Sequence, residues 1–100
     1  MLDKAAKKVY IAGKITGDPE YRAKFEAAQR FFEAMGRVVL NPAELPEGMQ
    51  PADYMRICFA MIESADEVCF IEDWVNSKGA KLEKAWCEYV EKPFGFMKIG

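Results

Sequence analysis

The sequence predicts an α/β protein: a mainly parallel sheet of about four strands, with three helices covering both faces. Two observations predict it. Short apolar runs rich in β-branched and aromatic residues, KVYIAG (8–13), RVVL (37–40) and EVCFI (67–71), alternate with stretches whose apolar residues recur at helical spacing. The order is strand–helix repeated, the pattern of parallel strands joined by right-handed crossovers and buried on both faces.

Each element has a local reason. The first strand is stopped by Gly13. Asp18 followed by Pro19 reads as the cap and first residue of a helix. Tyr21, Phe25, Ala28, Phe32 and Met35 then keep one face apolar, and Gly36 is placed to end the helix. The second strand, 37–40, is broken by Asn41-Pro42. A second helix starts near Pro51, with Tyr54, Ile57, Cys58, Met61 and Ile62 on one face. The third strand, 67–71, exits through EDWVNS into a third helix from about Lys78 to Glu91, and FGFMKI supplies a last short strand. On the third helix the apolar stripe expected to face the sheet is Leu82, Ala85, Trp86, Tyr89 and Val90.

Composition narrows the chemistry. One hundred residues, half of them apolar, suit one domain spanning 1–100. A net charge of -2 supplies no field to attract a nucleic-acid polymer or an anionic membrane. The start MLDKAAKK has no apolar leader, and Cys58, Cys69 and Cys87 lack any C-x-x-C pairing, so a reduced, cytoplasmic protein is expected. The chain has no histidine, which removes imidazole bases, Ser-His and Cys-His pairs and most zinc sites. Chemistry must come from carboxylates, hydroxyls, lysines and backbone dipoles, with no metal or cofactor implied.

In sheets of this kind ligands bind beyond the carboxyl ends of the strands, which selects loops 13–18, 41–50 and 72–78. Glu83 lies about 20° from Val90 and about 60° from Trp86 on the helical wheel, beside the apolar stripe while its charged neighbours face water. It reads either as a site carboxylate or as a boundary residue reaching solvent. Gly79, one turn earlier, leaves room for a ligand or for packing. Gly13, Lys14, Thr16 and Gly17 can form a phosphate-binding nest or a plain turn. Ser77 can cap the third helix or receive an anion there. Asp66 and Asp73, at the two ends of the third strand, are solvated acids or substrate contacts, and Trp74 stacks a flat ring or caps the core.

Two segments carry a resemblance. YIAGKITG (10–17) and SKGAKLE (77–83) resemble the nucleoside 2-deoxyribosyltransferase-like group. They come nearest its 2′-deoxynucleoside 5′-phosphate N-hydrolase branch, with Y-x-x-G-x-I-x-G and S-x-G-x-x-x-E spacings intact. The layout also resembles a small uncharacterised, often phage-borne family with YIAG, NP and W-x-x-S-x-G-A-x-x-E. The resemblance spans residues 8–92 and implies a flavodoxin-like (Rossmann-like) three-layer sandwich, in agreement with the pattern above.

It further implies that Glu83 is the nucleophile at C1′ of a deoxyribose, forming a glycosyl ester opened by water. Tyr10 would lie beside sugar and nucleophile, Gly13 would let the backbone approach a phosphate, and Ser77 would contact that phosphate. Where the group carries a proton-donating aspartate, eight residues before Asp66, this chain has Cys58; Asp73 and Asp53 are the nearest substitutes. Lys14 and Thr16 replace a serine and an arginine.

The expected function is N-glycosidic cleavage or transfer on a deoxynucleoside or its 5′-monophosphate, by a homo-oligomer. The alternatives are a non-catalytic nucleotide-binding or sensing module and, further off, an electron carrier or phospho-acceptor.

Overall fold

The computed structural model describes residues 7–99. The amino-terminal stretch read above for an apolar leader, and the outer limits of the 1–100 domain, lie largely outside them. The elements run β1 (Lys8–Ala12), α1 (Tyr21–Glu33), β2 (Val38–Leu40), α2 (Pro51–Ser64), β3 (Glu67–Ile71), α3 (Lys78–Val90) and β4 (Phe94–Met97). Short 3-10 turns at Pro42–Glu44 and Glu72–Asn76 follow β2 and β3.

The four strands form one parallel sheet in the order β2-β1-β3-β4. The order reverses direction after β2, so right-handed crossovers put α1 on one face and α2 and α3 on the other. Side chains follow this division. Tyr10, Ala12, Val68 and Phe70 pack with Cys58, Ile62 and Cys87 from α2 and α3. Their strand neighbours Ile11 and Ile71 pack on Phe25 and Ala28 of α1, and Val9 and Cys69 on Phe32. The predicted α/β sandwich, four parallel strands and three helices, is the observed one. No helix among the described residues is long and apolar enough to cross a membrane.

Several elements depart from the sequence reading. Helix α1 starts at Tyr21, not Pro19. The Asp18 carboxylate accepts from the Glu20 amide at 2.9 Å and its carbonyl from the Tyr21 amide at 3.3 Å, so Asp18 closes a turn just before the helix. Met35, assigned to the α1 apolar face, is exposed. Strand β2 excludes Arg37.

The larger correction is the rotation of α3. Its buried residues are Ala80, Glu83 and Cys87, whereas Leu82, Tyr89 and Val90 are 52%, 83% and 42% exposed. Small residues at 80 and 87 let the helix come close to the sheet, and the bulky stripe could not fit there at the same distance. Trp86 stays half-buried against Phe59 of α2, ring centroids 5.6 Å apart.

The end of α1 is set by backbone geometry. Gly36 has φ +78, while its amide bonds to the Glu33 carbonyl and the Arg37 amide to the Phe32 carbonyl. A Cβ at position 36 would touch nothing within 4 Å, so only the left-handed backbone opposes a side chain. Gly36→Ala should therefore cost about 1–2 kcal/mol, read as a lowered urea midpoint with unchanged slope.

Candidate functional site

Tyr10 is the third residue of β1, and its side chain points to the face covered by α2 and α3. There its hydroxyl donates to Glu83 Oε2 at 2.7 Å, joining the sheet centre to the second turn of α3. Glu83 is 5% exposed. Burial pushes its carboxyl up to about 7, against the hydrogen bonds from Tyr10 and Cys58 that hold it down. Cys58, from the middle of α2, packs in the same cluster as Tyr10, and burial pushes its thiol up to about 11. The Tyr10 hydroxyl is raised well above its ordinary value, first by burial and then by the Glu83 charge beside it. The cluster thus holds one carboxyl that can ionise near neutral pH, a neutral hydroxyl that donates to it, and a neutral thiol.

The loops after β1 and β3 meet at the carboxyl end of the sheet. Asp73 Oδ1 accepts from the Lys14 amide at 3.0 Å, and Asp73 Oδ2 is ion-paired with Lys24. Lys24 also donates to Asp18 Oδ2 at 2.5 Å and to the Lys14 carbonyl at 2.8 Å. A Cβ on Gly13 would lie 3.2 Å from both Asp73 Oδ1 and Ile71 Cβ, so any larger residue would need these neighbours to give by a few tenths of an ångström where β1 approaches the β3 exit. Thr16 and Gly17 are exposed on the loop beyond. Both Asp73 oxygens accept, one from the Lys14 amide and one from Lys24, and so tie the two loops together.

Other residues singled out from the sequence are placed differently. Ser77 caps α3, its hydroxyl accepting from the Ala80 amide at 3.1 Å. A Cβ on Gly79 would make ordinary contact with Met55 at 3.7 Å, so the position does not demand glycine. Trp74 packs over the core beside Phe70 and Phe96, with the Lys84 ammonium 5.1 Å from its ring centroid. Asp66 stands at the amino end of β3, accepting from the Lys8 amide at 2.7 Å, at the opposite end of the strands from the loops above. Asp53 is spent on the α2 capping box with Gln50 and an ion pair to Arg56.

The structure therefore gathers Tyr10, Glu83 and Cys58 in one place, and Gly13, Lys14 and Asp73 in another. Lys24 was not foreseen, since a lysine in a first helical turn gives no signal of burial. Cavities of about 600 Å³, beside Phe32, Cys69 and Met97, and about 300 Å³, beside Arg22 and Asn41, lie away from Glu83.

The Glu83 carboxyl ties stability to pH. The unfolded chain releases this proton near 4.5 and the folded chain only near 7. The folded state is favoured below the lower value, and that advantage is lost as pH rises through the upper one. Glu83→Gln removes the effect, so the loss of stability between pH 5 and 8 should shrink by about 2–3 kcal/mol. Urea unfolding at the two pH values measures it, and an unchanged pH dependence contradicts the assignment.

No curated protein matches the chain. Its fold is shared with a 2-deoxyribosyltransferase from the psychrotolerant bacterium Bacillus psychrosaccharolyticus (TM-score 0.70, 20% identity, 91% of this chain and 72% of that one). It is shared too with a 2-desoxiribosyltransferase from Leishmania mexicana (TM-score 0.73, 16% identity, 94% and 65%). The chain thus spans about two thirds of the length of the second. A family model described as Domain of unknown function (DUF4406) matches residues 7–94, and the chain belongs to that family.

Proposed function

We propose that the protein cleaves, or exchanges across, the N-glycosidic bond of a deoxynucleoside or its 5′-monophosphate, with Glu83 as nucleophile. The observation that carries this reading is the inward-held Glu83 carboxyl, bonded to Tyr10 at 2.7 Å, on a fold shared with two 2-deoxyribosyltransferases. A solubilising glutamate would not be sealed beneath two helices at the cost of its hydration.

In the first step a Glu83 oxygen bonds to C1′ as the bond from C1′ to the base nitrogen breaks. The base leaves with that electron pair and takes a proton from water. In the second step water, or the nitrogen of another base, attacks C1′ and frees the carboxylate; the incoming group's proton goes to solvent. Tyr10 holds the carboxylate in line for attack. The branch that the sequence resembles, the 5′-phosphate N-hydrolases, supplies the hydrolytic version of this scheme. The three unpaired cysteines, all buried, suit a reducing cytoplasm. The exposed Leu82 and Tyr89 on α3 supply apolar surface for the homo-oligomer this reading includes.

Two observations favour a second reading, a nucleotide-binding module without catalysis: Cys58 stands where the group that the sequence resembles carries its acid, and the two cavities described do not reach Glu83. Incubation with each deoxynucleoside and monophosphate separates the two. Enzymatic action releases free base, and Glu83→Gln lowers that release at least ~1000-fold. Binding without free base from any of them leaves the second reading.

The pH profile gives a further check. Because Glu83 attacks as the anion, kcat/KM should climb through about pH 7 and then level off. Tyr10→Phe removes a donor that favours the ionised form, so the midpoint should move to higher pH while kcat falls. A midpoint unmoved by Tyr10→Phe would assign the titration to another group.

A further inference from the structure

The loop after β1 is the expected place for a substrate phosphate, yet it already holds an anion of the chain's own. The Lys14 amide, one of the donors a phosphate would use, is taken by Asp73 Oδ1 at 3.0 Å. The space in front of Gly13, where a phosphate would need close approach, contains that same oxygen 3.2 Å from the Cβ position. Of the two lysines at this loop, Lys24 is committed to Asp73 and to Asp18. The side chains of Lys24, Asp18 and Asp73 are only 13%, 21% and 25% exposed, so solvent screens them incompletely.

Charge then decides what the loop can accept. Asp18 and Asp73 balance Lys14 and Lys24, leaving no local positive excess. A phosphate monoester is close to doubly charged at neutral pH. To bind here it must displace Asp73 from its amide and its lysine, or lie against two carboxylates. A 5′-hydroxyl has neither difficulty, because it can donate to a carboxylate oxygen, as a phosphate oxygen cannot.

We infer that the site takes deoxynucleosides with a free 5′-hydroxyl and excludes their 5′-phosphates, with Asp73 as the residue that determines this specificity. The inference rests on the function proposed above and selects between the two substrate classes that reading leaves open. It departs from the hydrolase branch that the sequence resembles, whose phosphate loop carries a serine and an arginine where this chain has Lys14 and Thr16. The departure comes from a residue outside that loop.

The test compares each deoxynucleoside with its 5′-monophosphate, for the wild-type protein and for Asp73→Asn, by kcat/KM or, without turnover, by Kd. The wild type should favour the nucleoside by roughly 100-fold or more, as close like charges dictate. Asp73→Asn keeps the shape and removes the charge. It should raise the monophosphate-to-nucleoside ratio at least ~10-fold, mainly through the KM of the monophosphate.

A second measurement needs neither variant nor turnover. Inorganic phosphate titrated into the wild-type protein should leave the amide resonances of Gly13, Lys14 and Gly17 unshifted. A wild type that uses the monophosphate as well as the nucleoside, or phosphate-induced shifts at those amides, overturns the exclusion while the glycosidic reading stands. Failure to bind or cleave either substrate overturns the glycosidic reading and this inference with it.

Discussion

A carboxyl buried beneath two helices is the constraint around which this molecule is arranged. Removing Glu83 from water raises the free energy of its charged form, and the 2.7 Å bond from Tyr10 returns part of that cost. The two residues are 73 positions apart in sequence, so the bond exists only if β1 is central and α3 lies across it. The rotation of α3 follows from the same requirement. With Glu83 facing inward, residues three and four positions on either side face inward too, and those are Ala80 and Cys87. Leu82, Tyr89 and Val90 are left to solvent because the polar contact and the small residues outweigh them.

A second network fixes the carboxyl end of the sheet. Lys24, in the first turn of α1, draws together Asp18 before the helix, the Lys14 carbonyl after β1 and Asp73 after β3. Its charge is half-buried, and its partners are two carboxylates and a carbonyl, the number an ammonium can satisfy. Gly13 makes the arrangement possible by letting Asp73 sit directly against the strand end. The two loops that topology assigns to ligand binding are thereby tied to each other.

Much of the fold was legible because it rests on patterns that single residues cannot override. The apolar runs at 8–13, 37–40 and 67–71, the closing FGFMKI and the alternation with helical segments suffice for strand count, direction and layering. Gly36 was legible as a helix end because the left-handed turn there wants a residue without Cβ. The face of α3 was legible only in part, since a wheel centres the buried stripe on the bulky apolar residues and leaves Glu83 at its flank; only a donor brought in by β1 makes its full burial tolerable. Asp18 was misjudged by the same kind of blindness: its carboxylate is divided between the Glu20 amide and Lys24, and a local reading sees only the cap. Asp73 read as an acid with a free proton to offer, because its lysine lies 49 positions away.

Cys58 shows how the pair of networks bears on chemistry. A carboxylate in its place would stand beside Glu83 in the same dry space, and two such charges oppose each other's ionisation. The thiol, pushed up to about 11, stays neutral at physiological pH and adds no opposing charge beside Glu83. That substitution lets Glu83 ionise close to neutrality despite its burial. It also withdraws the proton that an acid would give a departing base. On the proposed chemistry the balance therefore tilts towards a readily formed glycosyl ester and away from assistance to the leaving group. Bases that depart easily as anions are the natural substrates of such a site, and an incoming base that needs no deprotonation is its natural acceptor.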